Sequence, residues 1–387
     1  MIRRRNVLLS VMVSISIVGC TRSASTEKIP GQAPSRIPPI HASISETVSK
    51  TYVPTQKEPT QPATPKTLLS TATPLDVPPG VSINELPING LSTNGEEQIS
   101  GMAWYQDRLI LLPQYPNSLG IGGVGKAFAI EKSELIRFIM GDRSITLSLV
   151  PINFIDTGIM DRIPGFQGYE AIAIQGDRVY ITIEAGILDM EGYVVGGSIS
   201  SDGDTIRVDP SVITRIAPQT NLYNYSEESV LIFGNRLVTI YEINGESLNP
   251  DPVAHLLNLS LQPVDNLSFP NVEFRITDAT PPDDSGRFWA INDYYPGDQE
   301  ILPHMDSVTT EYPHQSFQPF AKGIERLIEF QFSESGIVFS DTPPIQLELR
   351  QDGVIRNWEA IARLEGYGFV VATDQYPGTM IAYIPHP

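Results

Sequence analysis

Five short phrases in the 387-residue chain place a polar residue directly before a small one. They are Ser100-Gly101, Glu170-Ala171, Glu228-Ser229, Asp278-Ala279 and Glu359-Ala360. Four of the five carry a carboxylate, so a ring of such units would bring several acids to one axis. Acids converging in a partly desolvated channel repel one another strongly. A hard divalent cation relieves that repulsion, and Ca²⁺ accepts about six to eight oxygen ligands in flexible geometry. Glu170, Glu228, Asp278 and Glu359 are therefore candidate Ca²⁺ ligands. The same spacing equally suits carboxylates that accept hydrogen bonds from loop amides and fix the corners of each unit. A second set lies thirteen residues after each small residue: Gln114, Glu184, Glu242, Asn292 and Thr373, with Asp293 and Asp374 one further on. These polar ends are candidates for the lining of a channel mouth.

The elements that must position these residues are strands. Tyr169 to Gln175 alternates apolar and polar residues, turns at Gly176-Asp177, and alternates again from Arg178 to Glu184. The plan recurs at 100–114, 228–242, 278–293 and 359–374. The small residues are spaced by 70, 58, 50 and 81 positions, which leaves room for two further strands per unit. Period-2 alternation with frequent turn signals marks an all-β chain. Four-stranded units repeated around an axis make a β-propeller, here of five to six blades, the sixth being a place the 81-residue interval could supply. The chain ends after three strands of its last unit, and residues 82–91 could provide the missing outer strand. A pair of β-sandwiches is the competing architecture. Trp104, Trp289 and Trp358 fall inside repeat units and read as core between blades. Tyr115-Pro116, Tyr295-Pro296 and Tyr376-Pro377 follow the second strand of three units and read as proline-set turns, with a ligand-stacking rim as the other possibility. The insertion at 294–322 holds Asp298, His304, Asp306, Glu311 and His314 and could cover one end of the channel.

Ahead of the repeats, Arg3 to Arg5 precede an apolar run from Val7 to Val18, too short to cross a bilayer as a helix. It ends in Ile17-Val18-Gly19-Cys20, which resembles the lipobox of bacterial lipoproteins. Residues 1–19 are thus expected to be a signal peptide. Cys20, the only cysteine, is expected to become an N-terminus carrying acyl chains such as palmitate, holding the protein on the cell membrane or outer membrane, facing the periplasm or exterior. One cysteine also excludes an intrachain disulfide and any Cys-based zinc site. Residues 21–80 hold eleven prolines and seventeen serines and threonines, a composition unable to build a core. The expected organisation is a lipid-anchored disordered linker at 20–80 and a propeller at 81–387. The whole chain has a net charge of −19, but residues 81–387 carry 17 basic and 41 acidic side chains, a net of −24. Such a surface argues against nucleic acid as a partner.

The Glu-Ala-Ile-Ala phrases at Glu170 and Glu359, with the segments around 169–184, 277–296 and 357–377, resemble the esterase-like phytase domain family of exported bacterial propellers. That resemblance implies a propeller fold and an extracytoplasmic phosphoester or ester hydrolase, and it assigns no catalytic residue. The sequence has no Gly-x-Ser-x-Gly elbow, no His-Glu-x-x-His and no Gly-rich phosphate loop. Catalysis, if present, would then use carboxylates and a metal-bound water. The expected activity is Ca²⁺-dependent hydrolysis of a small ester by a monomer. The competing function is a non-catalytic scaffold for a glycan, peptide or envelope protein.

Overall fold

A computed structural model describes residues 80–386 apart from 92–94, 316 and 318–321. The signal segment, Cys20 and nearly all of the linker lie outside the described residues. What is described is a five-bladed β-propeller. Blade one comprises β2 (Ile99–Tyr105), β3 (Arg108–Pro113), β4 (Gly125–Glu131) and β5 (Val150–Asp156). Blade two is β6 (Phe166–Gln175), β7 (Arg178–Gly186), β8 (Met190–Ile199) and β9 (Thr205–Ile216). Blade three is β10 (Glu227–Phe233), β11 (Arg236–Tyr241), β12 (Val253–Asn258) and β13 (Pro263–Ser268). Blade four is β14 (Arg275–Ala279), β15 (Arg287–Tyr294), β16 (Ile324–Ser333) and β17 (Gly336–Phe339). Blade five has β18 (Trp358–Leu364), β19 (Gly368–Thr373) and β20 (Ile381–Pro385) from the C-terminus. Its outer strand, β1 (Asn84–Glu85), comes from the other end of the chain and pairs antiparallel with β20.

The innermost strands β2, β6, β10, β14 and β18 pack one on the next, and β18 returns to β2. That cyclic order excludes paired sandwiches. Among the described residues the 81-residue interval holds no sixth blade; it is filled by β15 to β17, the insertion after Tyr294 and the loop before Trp358. Blades one and two are also stitched at their rims, where β5 and β9 pair in parallel. The helix Lys132–Ile139 connects β4 to β5 and buries Leu135 in the cluster that closes the ring.

Separate apolar clusters fill the interfaces between blades. Tyr105, Phe154 and Ile181 close the first interface, and Tyr180, Val230 and Leu237 the second. Phe288, Phe330 and Leu231 close the next. Trp289, Trp358 and Phe369 lie between blades four and five, while Ile99, Leu111 and Val370 close the ring. Trp289 and Trp358 are core residues, as their repeat position implied. Trp104 is half-buried and donates its indole N–H to the Arg363 carbonyl at 2.7 Å.

The repeat position of the acids has a structural cause. Each innermost strand loses register against its neighbour at the same point: between Ile99 and Gly101, Tyr169 and Ile172, Glu227 and Ser229, Ile276 and Ala279, and Trp358 and Ala360. A bulge removes a residue from the ladder and re-aims its side chain. Here it lifts Ser100, Glu170, Glu228, Asp278 and Glu359 out of regular alternation. The small residue that follows is set by crowding. A Cβ on Gly101 would stand 3.0 Å from the Ile172 nitrogen and 3.1 Å from the Ala171 Cα, both on the next inner strand.

Candidate functional site: an acidic axial funnel

Side chains from every blade, four of them from the bulges, line one cavity of about 120 Å³ on the propeller axis. Ser100 and Gln114 come from blade one, and Glu170 and Glu184 from blade two. Glu228 and Glu242, with Asn224 from the loop before β10, belong to blade three, Arg275 to blade four, and Asn357, Glu359 and Asp374 to blade five. Three of the four candidate Ca²⁺ ligands, Glu170, Glu228 and Glu359, therefore meet. Gln114, Glu184, Glu242 and Asp374 from the second set join them.

Asp278 does not line this cavity. Its carboxylate accepts hydrogen bonds from the backbone N–H of Ala279 and of Ile361 on blade five, both at 2.8 Å. It is a tie between two inner strands, the corner-fixing role that its spacing also allowed. Asn292 is likewise committed: its amide donates to the carbonyls of Glu273 and Arg275, and its oxygen accepts from Arg326. Asp293 is fully buried and faces the adjoining mouth rather than the axis. Thr373 donates its hydroxyl to the Gly378 carbonyl.

Arg275 is the organising cation, and the repeat pattern did not single it out. Its guanidinium donates to Asp293 at 2.9 Å and to Glu359 at 3.3 Å, reaches Glu242 at 3.5 Å, and bonds the Asn357 side chain. The available signal was a basic residue opening an inner strand, four positions before the small anchor. Asn357, two positions before Glu359, had no repeat partner to flag it.

One cation does not neutralise this ring. Burial, followed by the charge of Glu184, raises the Glu170 carboxyl to about 8, although Gln114 donates to it at 3.3 Å. Burial and then Glu359 raise Glu184 to about 7. Glu359 is raised to about 8, burial outweighing the opposing pull of Arg275. Glu228 and Glu242 are pushed well above the usual carboxylate range, again chiefly by burial. One oxygen of Glu184, Oε1, is buried without a hydrogen-bond partner among the described residues. Near neutral pH several of these groups hold protons, so the cavity offers both carboxylic acid donors and carboxylate acceptors. Among the described residues no three His, Cys, Asp or Glu side chains are arranged to hold one metal ion.

The funnel widens into a mouth of about 280 Å³ lined by Arg275, Asp293, Asp298, Asn357, Ile355 and two aromatic rings, Tyr295 and Tyr376. These rings stand edge to face with centroids 6.0 Å apart. Tyr295 is 43% exposed, Tyr376 47% and Tyr115 38%. Tyr115 senses the same acids, its hydroxyl pKa raised by burial and then by Glu170, Glu184 and Asp374. The three Tyr-Pro turns thus leave half-open tyrosines near the mouth rather than sealing them into the core. Among the described residues of the 294–322 insertion, Tyr295 and Asp298 at its start line the mouth. Further along, Asp306 is consumed by buried Arg326 at 2.6 Å, and His304 and His314 are exposed.

No protein-family model matches the chain, and no curated protein does. Solved structures that resemble it include a glucose dehydrogenase, at 15% identity and a TM-score of 0.41 over 77% of this chain and 99% of that one. The soluble aldose sugar dehydrogenase from Escherichia coli in its apo form matches at 12% identity and 0.39, over 76% and 99%. An endo-arabinase from Bacteroides thetaiotaomicron matches at 12% and 0.43, over 79% and 97%. At these values the likeness assigns no chemistry to this chain.

Proposed function

We propose that the protein is an exported, lipid-anchored β-propeller that binds a neutral polyhydroxylated ligand, of the glycan class, in its axial funnel. The observation that carries this reading is the pairing of half-exposed tyrosines at the mouth with proton-holding carboxyls, Arg275 and Asn357 behind them. Aromatic faces stack on the apolar side of a sugar ring, while groups that both donate and accept match its hydroxyls. A neutral ligand also avoids the repulsion that a −24 domain imposes on anions. The test is calorimetry of the full chain in detergent against a panel of neutral oligosaccharides, repeated with Tyr295→Ala/Tyr376→Ala. Loss of binding in the double variant is the expected result. A panel with no binder, or binding indifferent to both tyrosines, would sink the assignment.

A second reading is Ca²⁺-dependent ester or phosphoester hydrolysis, favoured by the unpartnered oxygen of Glu184 among mutually repelling acids. Glu170, Glu184, Glu228 and Glu359 supply the hard oxygens that Ca²⁺ prefers, and a bound ion would polarise an ester oxygen. Because no three acids among the described residues are positioned around one point, no catalytic step is built on that ion. Turnover of p-nitrophenyl acetate or phosphate that is abolished by EDTA would establish this reading. Turnover that survives EDTA would remove the metal, and no turnover at all would leave binding alone.

A further inference from the structure

Blade two carries a feature that its sisters lack. In blade one, Arg108 at the start of β3 lies across from Glu131 on β4 and pairs with it at 3.2 Å, and also with Asp204 at 2.8 Å. Arg178 holds the corresponding place in β7, but its cross-strand neighbour on β8 is Ser198, and the residue across from Ser198 on β9 is Arg207. Residues directly opposite on neighbouring strands project to the same face. The sequence of side chains across three strands is therefore Arg-Ser-Arg, the two arginine Cα atoms about 10 Å apart at ordinary strand spacing. Neither guanidinium has an ion pair among the described residues, in a domain where most arginines do.

These arginines border a groove of about 530 Å³ between blades two and three, separate from the axial funnel. The groove opens at an irregularity in the β8–β9 ladder: Val195 pairs with Ile213 and Gly196 with Asp209, which leaves Pro210, Ser211 and Val212 unopposed. Two glycines make the close approach there. A Cβ on Gly196 would meet the Val212 side chain at 2.6 Å, and one on Gly197 the Arg207 carbonyl oxygen at 2.5 Å. Among the described residues Asp209 is the only carboxylate on the lining. It is occupied by the Ser211 amide at 2.9 Å and hydroxyl at 2.6 Å, which hold its pKa down.

We propose that this groove binds a phosphate-bearing ligand, with Arg178 and Arg207 clamping its oxyanion and Ser198 donating between them. Arginine forks match tetrahedral oxyanions in charge and geometry, and the contact works at short range against the repulsive field of the domain. The phosphate could belong to a small soluble molecule or to a lipid headgroup. The test uses the full chain in a non-ionic detergent, with inorganic pyrophosphate and soluble dihexanoyl phosphatidic acid as probes in calorimetry. Arg178→Gln/Arg207→Gln should weaken binding at least about tenfold, while Arg236→Gln, the blade-three counterpart outside the groove, should leave it unchanged. Pyrophosphate binding lost in the double variant identifies a soluble phosphate ligand. Binding of the phosphatidic acid alone, lost in the same variant, identifies a headgroup. Absence of both, or binding equally indifferent to the double variant and to single Arg207→Gln, overturns the proposal. Melting curves of each variant separate loss of the site from loss of the fold.

Discussion

Glu359 and Arg275 show how one side chain can hold a site together. The guanidinium is nearly buried and bridges Asp293, Glu242 and Glu359 from three different blades. Removing one partner of a buried ion pair leaves the others uncompensated. Arg275→Met should therefore lower stability by about 3–5 kcal/mol at about pH 9, where its partners Glu359 and Asp293 are ionised. The loss should shrink at about pH 5, where Glu359 and Asp293, raised to about 8 and about 7, hold protons. Urea unfolding at the two pH values measures the difference; an equal loss at both would show that Arg275 acts by packing alone. The carboxylates at the repeat position were legible in the sequence because they recur. Arg275 occurs once, and a basic residue opening an inner strand does not by itself differ from a surface arginine until Glu242, Asp293, Asp298 and Glu359 are seen around it.

At the scale of the strand, the bulge and the small residue after it form one device. The bulge turns an acid toward the axis, and the small residue lets neighbouring inner strands approach. At Gly101 the backbone of the next blade stands 3.0–3.1 Å from the missing Cβ. Gly101→Val should cost about 1–3 kcal/mol by overpacking. It should also disturb the Gln114–Glu170 hydrogen bond across the same seam, so thermal melting and ligand binding should weaken together. A stable variant with full binding would separate the anchor from the site. Asp278 marks where spacing misleads: it occupies the repeat position but lies next to two unpaired amides, and hydrogen bonding to them wins over projection to the axis. Periodicity gives the position of a residue in a unit, whereas the backbone groups within its reach decide what it does.

For the whole molecule, the acid ring dictates a pH response. Glu170, Glu184 and Glu359 have folded-state pKa values raised above the ordinary carboxylate value, facing Glu228, Glu242, Asp374 and the single cation Arg275. Between the unfolded value and about 8 the folded protein keeps protons that the unfolded chain has released, so stability falls as pH rises through that window. The melting temperature should be several degrees higher at about pH 5.5 than at about pH 8.5, and Glu170→Gln with Glu184→Gln should flatten the profile. A profile that rises with pH would contradict the buried ring. The proposed lipid anchor is a separate matter of the chain's first twenty residues. Cys20→Ser should move the protein from the membrane fraction to the soluble exported fraction and abolish incorporation of radiolabelled palmitate. Retention of label in that variant would rule out Cys20 as the attachment point.

The sequence alone determined an all-β repeat, a place within residues 82–91 for an outer strand, and an acid before the small residue in four of five units, because strand alternation and turn chemistry are local and repeat every unit. It could not choose between five and six blades, since loop length hides where an insertion ends and a strand begins. The tertiary structure decided that, by returning β18 to β2. It also decided which acids converge, drew Asp278 out of the ring, placed Arg275 at its centre, and set Arg178 beside Arg207. Those outcomes depend on groups far apart in the chain meeting across a curved sheet, and no local pattern encodes such a meeting.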